Sequence, residues 1–196
     1  MLTSINPLGE RARQNRWIRT VLAFTIAAIA TGGALGALLG WVGALLPGLP
    51  SIGAMAGVLI GAGLLDIARV PAPGPRRQVD ETWIGAYRDW VYGAAYGAQL
   101  GAGFTTHIVT WGTWAVAATM LAVASPALAA GIGAGFGAGR AMSMWTTVRV
   151  ERPEQLIAYG SRMAALSTPA RTTTAFALAV VGVAISLQTG NSTWPI

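Results

Sequence analysis

The chain has no cysteine, no lysine and a single histidine, and only 10% of its 196 residues are charged. Without thiols there is no disulfide, thiolate metal site, iron–sulfur ligand or thiol redox relay. A soluble domain carries about 25% charged residues, so this deficit, with 54% hydrophobic residues and a mean hydropathy of +0.54, points to a membrane protein. One histidine, no pair of carboxylates deep in an apolar run and no His-Glu-x-x-His spacing leave no catalytic or metal-binding constellation. No enzymatic activity, cofactor or metal is therefore expected. The Gly-x-Gly segments lie within apolar runs with no lysine nearby, so they are not phosphate loops.

What is abundant is glycine and arginine. All 13 basic residues are arginine, and they sit between the apolar runs, so the net charge of +6 is not a nucleic-acid footprint. It is the distribution that orients membrane helices. Arginine-only usage with much alanine and glycine fits a GC-rich bacterial genome, and the expected location is the bacterial plasma membrane, crossed several times. Glycine recurs as four zippers of the form Gly-x-x-x-Gly-x-x-x-Gly: Gly32/Gly36/Gly40, Gly53/Gly57/Gly61, Gly93/Gly97/Gly101 and Gly131/Gly135/Gly139. Every fourth residue returns to nearly the same helix face, which makes each zipper a strip without side chains. In water an interior glycine costs about 1 kcal/mol relative to alanine, whereas in lipid such strips let helices pack closely. Gly36, Gly40, Gly57, Gly61, Gly97, Gly101, Gly135 and Gly139 are the expected packing positions.

A spanning helix needs about 20 largely apolar residues. Apolar stretches cover residues 17–46, 51–70, 91–124, 126–147 and 172–188. The first follows Arg11, Arg13, Arg16 and Arg19 but is longer than a signal-peptide core, so it reads as a retained span. Placing the N-terminus inside puts almost all arginines on the cytoplasmic side. The expected fold class is thus all-α, a polytopic, glycine-zipper-packed bundle of about five transmembrane helices, N-in and C-out. One transmembrane domain fills residues 1–196: a basic cytoplasmic tail (1–19), a first hairpin (20–70), a cytoplasmic loop (71–90), a second hairpin (91–147), a cytoplasmic segment (148–171) and a last helix (172–188). Residues 83–124 also admit a break near Gly101-Ala-Gly103, giving six elements. Gly36-Ala-Leu-Leu-Gly40 is echoed by Gly97-Ala-Gln-Leu-Gly101, and Gly57/Gly61/Gly63 by Gly133/Gly137/Gly139, an order that either marks a two-hairpin repeat or arises by chance in a Gly/Ala-rich chain.

Polar residues within the spans are few. Gln99, Thr106, Thr110 and Thr113 fall at helical spacing with His107 beside them, and form the candidate binding path, since ionisable groups in a membrane usually face an interior or a wet cavity. The alternative is structural: threonines bond their own backbone, and one histidine is satisfied by one neighbouring helix. Asp66 and Arg140 are placed to pair between hairpins, unless Arg140 snorkels to the interface. Most tryptophans lie near span ends, as interfacial anchors do.

The opening Asn6-Pro7-Leu8-Gly9-Glu10-Arg11-Ala12-Arg13, together with the glycine-rich hairpins, resembles multi-pass integral membrane proteins of actinobacterial type that bring no known activity with them. The duplicated, Gly/Pro-interrupted helices are also similar to the transmembrane thiol carriers of cytochrome c biogenesis. Those use a cysteine pair that this chain lacks, so their activity does not carry over. The expected role is a small-solute or ion transporter, or channel-like protein, with its polar path on the third span. The alternative is a non-catalytic subunit or scaffold of a larger membrane complex. The expected partners are the lipid bilayer and either further copies of the chain or partner membrane subunits, not nucleic acid.

Overall fold

The computed structural model describes residues 5–46, 52–75, 82–105 and 108–191. Among these residues all regular structure is helical. In chain order the helices are α1 (Pro7–Ala12), α2 (Trp17–Leu45), α3 (Ile52–Ile67), α4 (Trp83–Ala86), α5 (Asp89–Ala102), α6 (Gly112–Ala122), α7 (Pro126–Trp145) and, after a 3₁₀ turn at Thr146–Arg149, α8 (Pro153–Asn191). Two of them, at Trp17–Leu45 and Pro153–Gln188, are long and apolar enough to cross a membrane by length and composition.

The 29 residues of α2 form the central post, about 44 Å long at 1.5 Å per residue. One stripe of it is buried: Thr20, Val21, Phe24, Ala28, Gly32, Gly36, Gly40 and Gly43. Against its first half lies α5, and there a Cβ on Gly97 would collide with the Phe24 carbonyl, and one on Gly101 with the Ala28 carbonyl. α7 runs antiparallel along α2, from Trp145 beside Trp17 and Thr25 to Ser125 beside Gly40. Gly32 and Gly133 each meet the other's carbonyl, Gly36 meets the carbonyl of Ala129, and a Cβ on Gly40 would lie 2.7 Å from the Ser125 carbonyl oxygen. Such approaches leave Cα–H groups against carbonyl oxygens, each worth about 0.5–1 kcal/mol.

The fourth zipper is offset from its expected face. Gly133 and Gly137, with Ala129 and Ala141, form the buried side of α7, whereas a Cβ on Gly131, Gly135 or Gly139 meets nothing within 4 Å. A two-residue offset is about 200° around a helix, so the two glycine rows lie on opposite sides. A Cβ on Gly57 or Gly61 of the second zipper likewise meets nothing within 4 Å among the described residues. Among the described residues, Gly135, Gly139, Gly57 and Gly61 therefore form no close helix–helix approach.

The first hairpin is not a packed unit. Instead of lying along α2, α3 packs against α8 and α6. Its close approaches are Gly63 to the Ala175 carbonyl, at 2.6 Å from an added Cβ, and Gly182 of α8 to the Ala56 carbonyl, at 2.8 Å. Nor do residues 148–171 form a segment of their own: from Pro153 onward they belong to the 39-residue α8, which includes Pro169 and continues into the apolar run.

The basic N-terminal region is also folded. Asn6 caps α1 by accepting from the Gly9 amide at 2.8 Å, and Pro7 takes the first helical position. This helix delivers Glu10, fully buried, to the junction of α2 and α5. The carboxylate accepts from Arg13 Nη2 at 2.7 Å, Thr20 Oγ1 at 3.0 Å and the Tyr92 hydroxyl, which also accepts from Asn15 Nδ2 at 3.3 Å.

Candidate functional site

The third apolar stretch is broken. Gly103, at a φ of +72°, ends α5, and α6 starts only at Gly112. Since Gly101 stands opposite Ala28, near the middle of α2, the break opens about halfway along the central post. Each half-helix end there meets a side chain of complementary charge. At the N-terminal end of α6, Asp66 of α3 accepts from the Trp111 amide at 3.0 Å and the Gly112 amide at 3.3 Å. These are donors that a helix start otherwise leaves unsatisfied. At the C-terminal end of α5, a Cβ on Gly103 would sit 3.6 Å from Arg140 Nη1, and the same guanidinium lies 5.4 Å above the Phe136 ring. Both placements suit the helix dipole.

Asp66 and Arg140 therefore do not pair with one another. The break stands between them, and the partner of Asp66 is Arg171 of α8, whose Nη2 lies 3.5 Å from Oδ1. The Asp66 side chain is 1% exposed and that of Arg171 27%.

A cleft of about 560 Å³ opens beside this ion pair, lined by Asp66, Ile67, Arg69, Val109 and Thr110 on one side and by residues of α8 between Ser167 and Thr174 on the other. Its hydroxyls come mostly from α8. Ser167 donates to the Ala164 carbonyl at 2.6 Å, Thr172 to the Pro169 carbonyl at 2.9 Å, and Thr174 to the Ala170 carbonyl at 2.9 Å. Pro169 contributes no amide hydrogen, which frees the carbonyl four residues earlier.

The expected polar stripe is divided by the same break, because helical spacing carries no meaning across residues 103–111. Thr110 lines the cleft. Thr113 faces the other way, onto a void of about 10 Å³ between Gly32, Gly101, Gly133 and Phe136, room for a single water. Gln99 stays in α5, its carbonyl accepting from Thr105 Oγ1 at 2.7 Å. Thr106 and His107 lie outside the described residues.

The segment after α3 is not a free loop at its start. Trp111 Nε1 donates to the Val70 carbonyl at 3.1 Å and Trp114 Nε1 to the Pro73 carbonyl at 2.9 Å. This strap of Pro71, Pro73 and Pro75 has few amide hydrogens to satisfy, which suits an apolar setting. Beneath it is an apolar groove of about 510 Å³ lined by Val58, Gly61, Leu65, Trp111 and Trp114, among others.

Comparison with known proteins gives two relatives. The chain is 32% identical over 126 residues to the methylamine utilization protein MauF of Methylorubrum extorquens, covering 63% of this chain and 44% of that protein. It is 32% identical over 118 residues to MauF of Paracoccus versutus, covering 56% and 43%. The chain thus spans less than half the length of these curated relatives. No family model matches the sequence, and no solved structure matches it.

Several site residues were missed by the sequence reading. Arg171, Arg69, Ser167, Thr168, Thr172 and Thr174 all line the cleft. Their signal is the run Ser-Thr-Pro-Ala-Arg-Thr-Thr-Thr at residues 167–174, where hydroxyls, a proline and an arginine directly precede an apolar stretch.

Proposed function

We propose that this chain is a non-enzymatic small-solute carrier or channel-like protein of the bacterial plasma membrane, with the cleft at the helix break as its solute site. In this reading α2, α3, the α5–α6 pair, α7 and the apolar part of α8 are five spans, N-in and C-out, with the third discontinuous. The observation that carries it is the meeting, halfway along α2, of a broken helix, an Asp66–Arg171 pair with its carboxylate buried, and a cleft lined by charged and hydroxyl side chains. Non-helical backbone at membrane depth is tolerated only where protein or a water-filled cavity surrounds it. Discontinuous helices whose ends face the solute are a recurring design among secondary transporters.

The test is reconstitution of the full chain into liposomes with a panel of methylammonium, glycine, acetate and protons. Methylammonium is included because the two relatives are named for methylamine utilization. The expected result is uptake of at least one of these above empty liposomes, reduced by Asp66→Asn and by Arg171→Gln. No uptake across the panel sinks the carrier reading.

One observation favours a second reading, a non-catalytic subunit of a membrane complex. Among the described residues, a Cβ on Gly57, Gly131, Gly135 or Gly139 meets nothing within 4 Å, which leaves smooth strips through which helices of a second copy or a partner subunit would pack. Co-purification of a stable complex that Gly57→Leu disperses, together with no uptake, would establish it.

A further inference from the structure

The charges lining the cleft are unequal. Asp66 supplies one negative charge, Arg69 and Arg171 two positive ones. Asp66 is, moreover, already well compensated, with an α6 amide on each of its oxygens. Its contact with Arg171 is a single one at 3.5 Å, longer than a charge-assisted hydrogen bond of about 2.7–2.9 Å. Arg171 is thus held beside Asp66 without being used up by it. Of the five donors a guanidinium carries, its Nε is enclosed with no hydrogen-bond partner. Among the described residues, the guanidinium of Arg69 meets no carboxylate. The hydroxyls of Ser167, Thr172 and Thr174 have the opposite bias, since each donates its proton to its own helix and leaves lone pairs facing outward.

We infer that the cleft takes a small solute by its carboxylate, gripped by Arg171 and Arg69, with a donor group on the solute meeting the hydroxyl oxygens of α8. An amino or hydroxy acid has this combination: an acceptor-only end for the guanidiniums and a donor end for the hydroxyls. A lone alkylammonium has only the second part and would face a surplus of positive charge in a partly desolvated site. This inference rests on the carrier reading for its physiological meaning, but binding can be measured without transport.

The experiment is equilibrium binding of radiolabelled glycine to the purified full chain in detergent, with acetate, inorganic phosphate and methylammonium as competitors. Saturable glycine binding is expected, displaced by acetate, weakly by phosphate and not by methylammonium. Losing a hydrogen bond to a charged group predicts a loss of about tenfold or more for Arg171→Gln, and a smaller loss for Arg171→Lys, which retains the charge. Arg69 lies at the surface, so Arg69→Gln weakens binding without disturbing the fold and keeps the test decisive if Arg171→Gln misfolds. Displacement by methylammonium, tighter binding of phosphate than of acetate, or wild-type affinity in both arginine variants would overturn the assignment. Glycine binding with this profile but no uptake into liposomes would remove the carrier reading alone. Uptake of methylammonium without glycine binding would keep the carrier reading and remove this one.

Discussion

Two halves of the molecule are built from the same small residues and pack to different ends. In the half formed by α2, α5 and α7, glycine faces carbonyl along most of the 29-residue post, and the void between the helices is about 10 Å³. In the other half, α3 and α8 approach closely at Gly63 and Gly182, and α3 is flanked by the cleft of about 560 Å³ and the groove of about 510 Å³. Among the described residues α6 packs against helices of both: α2 and α7 on one side, α3 and α8 on the other. Local stability tracks the density of buried contacts, so the first half is a frame and the second, which holds the proposed solute site, is the looser part. The ion pair and the helix break lie at their seam.

The largest effect is expected where the frame has no spare space. A Cβ on Gly97 would overlap the backbone of Phe24, which cannot yield without parting α2 from α5. Overpacking costs about 1–3 kcal/mol where side chains can adjust and more where only backbone can. Gly97→Val should therefore cost about 3 kcal/mol or more, read as loss of the monodisperse peak on heating in detergent. The same peak surviving unchanged would show that α2 and α5 are not rigidly apposed.

Next in size is the buried anchor of the frame. Glu10→Ala removes the acceptor of three side chains and strands the Tyr92 hydroxyl at the junction of α1, α2 and α5, while Arg13 loses its buried carboxylate. Breaking a buried pair costs about 3–5 kcal/mol. With the Arg13 side chain 32% exposed, about 2–3 kcal/mol is the expected loss. Hydrogen exchange should accelerate across α1 and the first turns of α2 and α5, and remain as in the wild type in α3 and α8. Acceleration in α3 would mean that the two halves unfold as one.

At the seam the expected change is smaller. Asp66→Asn can still accept from one of the two α6 amides but turns an amide hydrogen toward the other, at a cost of about 1–3 kcal/mol for an unsatisfied donor. Exchange at Trp111 and Gly112 should rise, with the helix contacts at Gly97 and Gly133 as protected as before. Equal protection of Trp111 and Gly112 in the variant would remove Asp66 from its capping role.

Much of this organisation was legible in the sequence, and the losses have identifiable causes. That small residues at every fourth position bring backbones together is visible at Gly36, Gly40, Gly97 and Gly101, which lie in the α2–α7 and α2–α5 seams. Which row of α7 turns inward could not be read, because glycines at 131, 135 and 139 alternate with glycines at 133 and 137 on opposite faces. The break after Gly101-Ala-Gly103 was visible as an alternative, but continuing a 3.6-residue period through it wrongly aligned Thr110 with Thr113. Pairing of α3 with α8 is a long-range choice that sequence adjacency hides. Adjacency favoured a hairpin with α2 and an Asp66–Arg140 pair, and so concealed Arg171 and the hydroxyls around it.

The smallest effect belongs to the outward face of the frame. A Cβ on Gly135 meets nothing within 4 Å, and removing an interior glycine favours the helix by up to about 1 kcal/mol. Gly135→Leu should therefore leave an isolated chain as stable as the wild type or slightly more so, in contrast to Gly97→Val on a zipper of the same spacing. Thermal unfolding in detergent measures that contrast, and light scattering of the same samples measures assembly. If Gly135→Leu lowers the molecular mass while leaving the thermal midpoint unchanged, this strip holds a second copy or a partner, and the frame is packed by glycine on both of its faces. If neither changes, the outward row faces lipid, and close packing by glycine in α7 is confined to the row that carries Gly133 and Gly137.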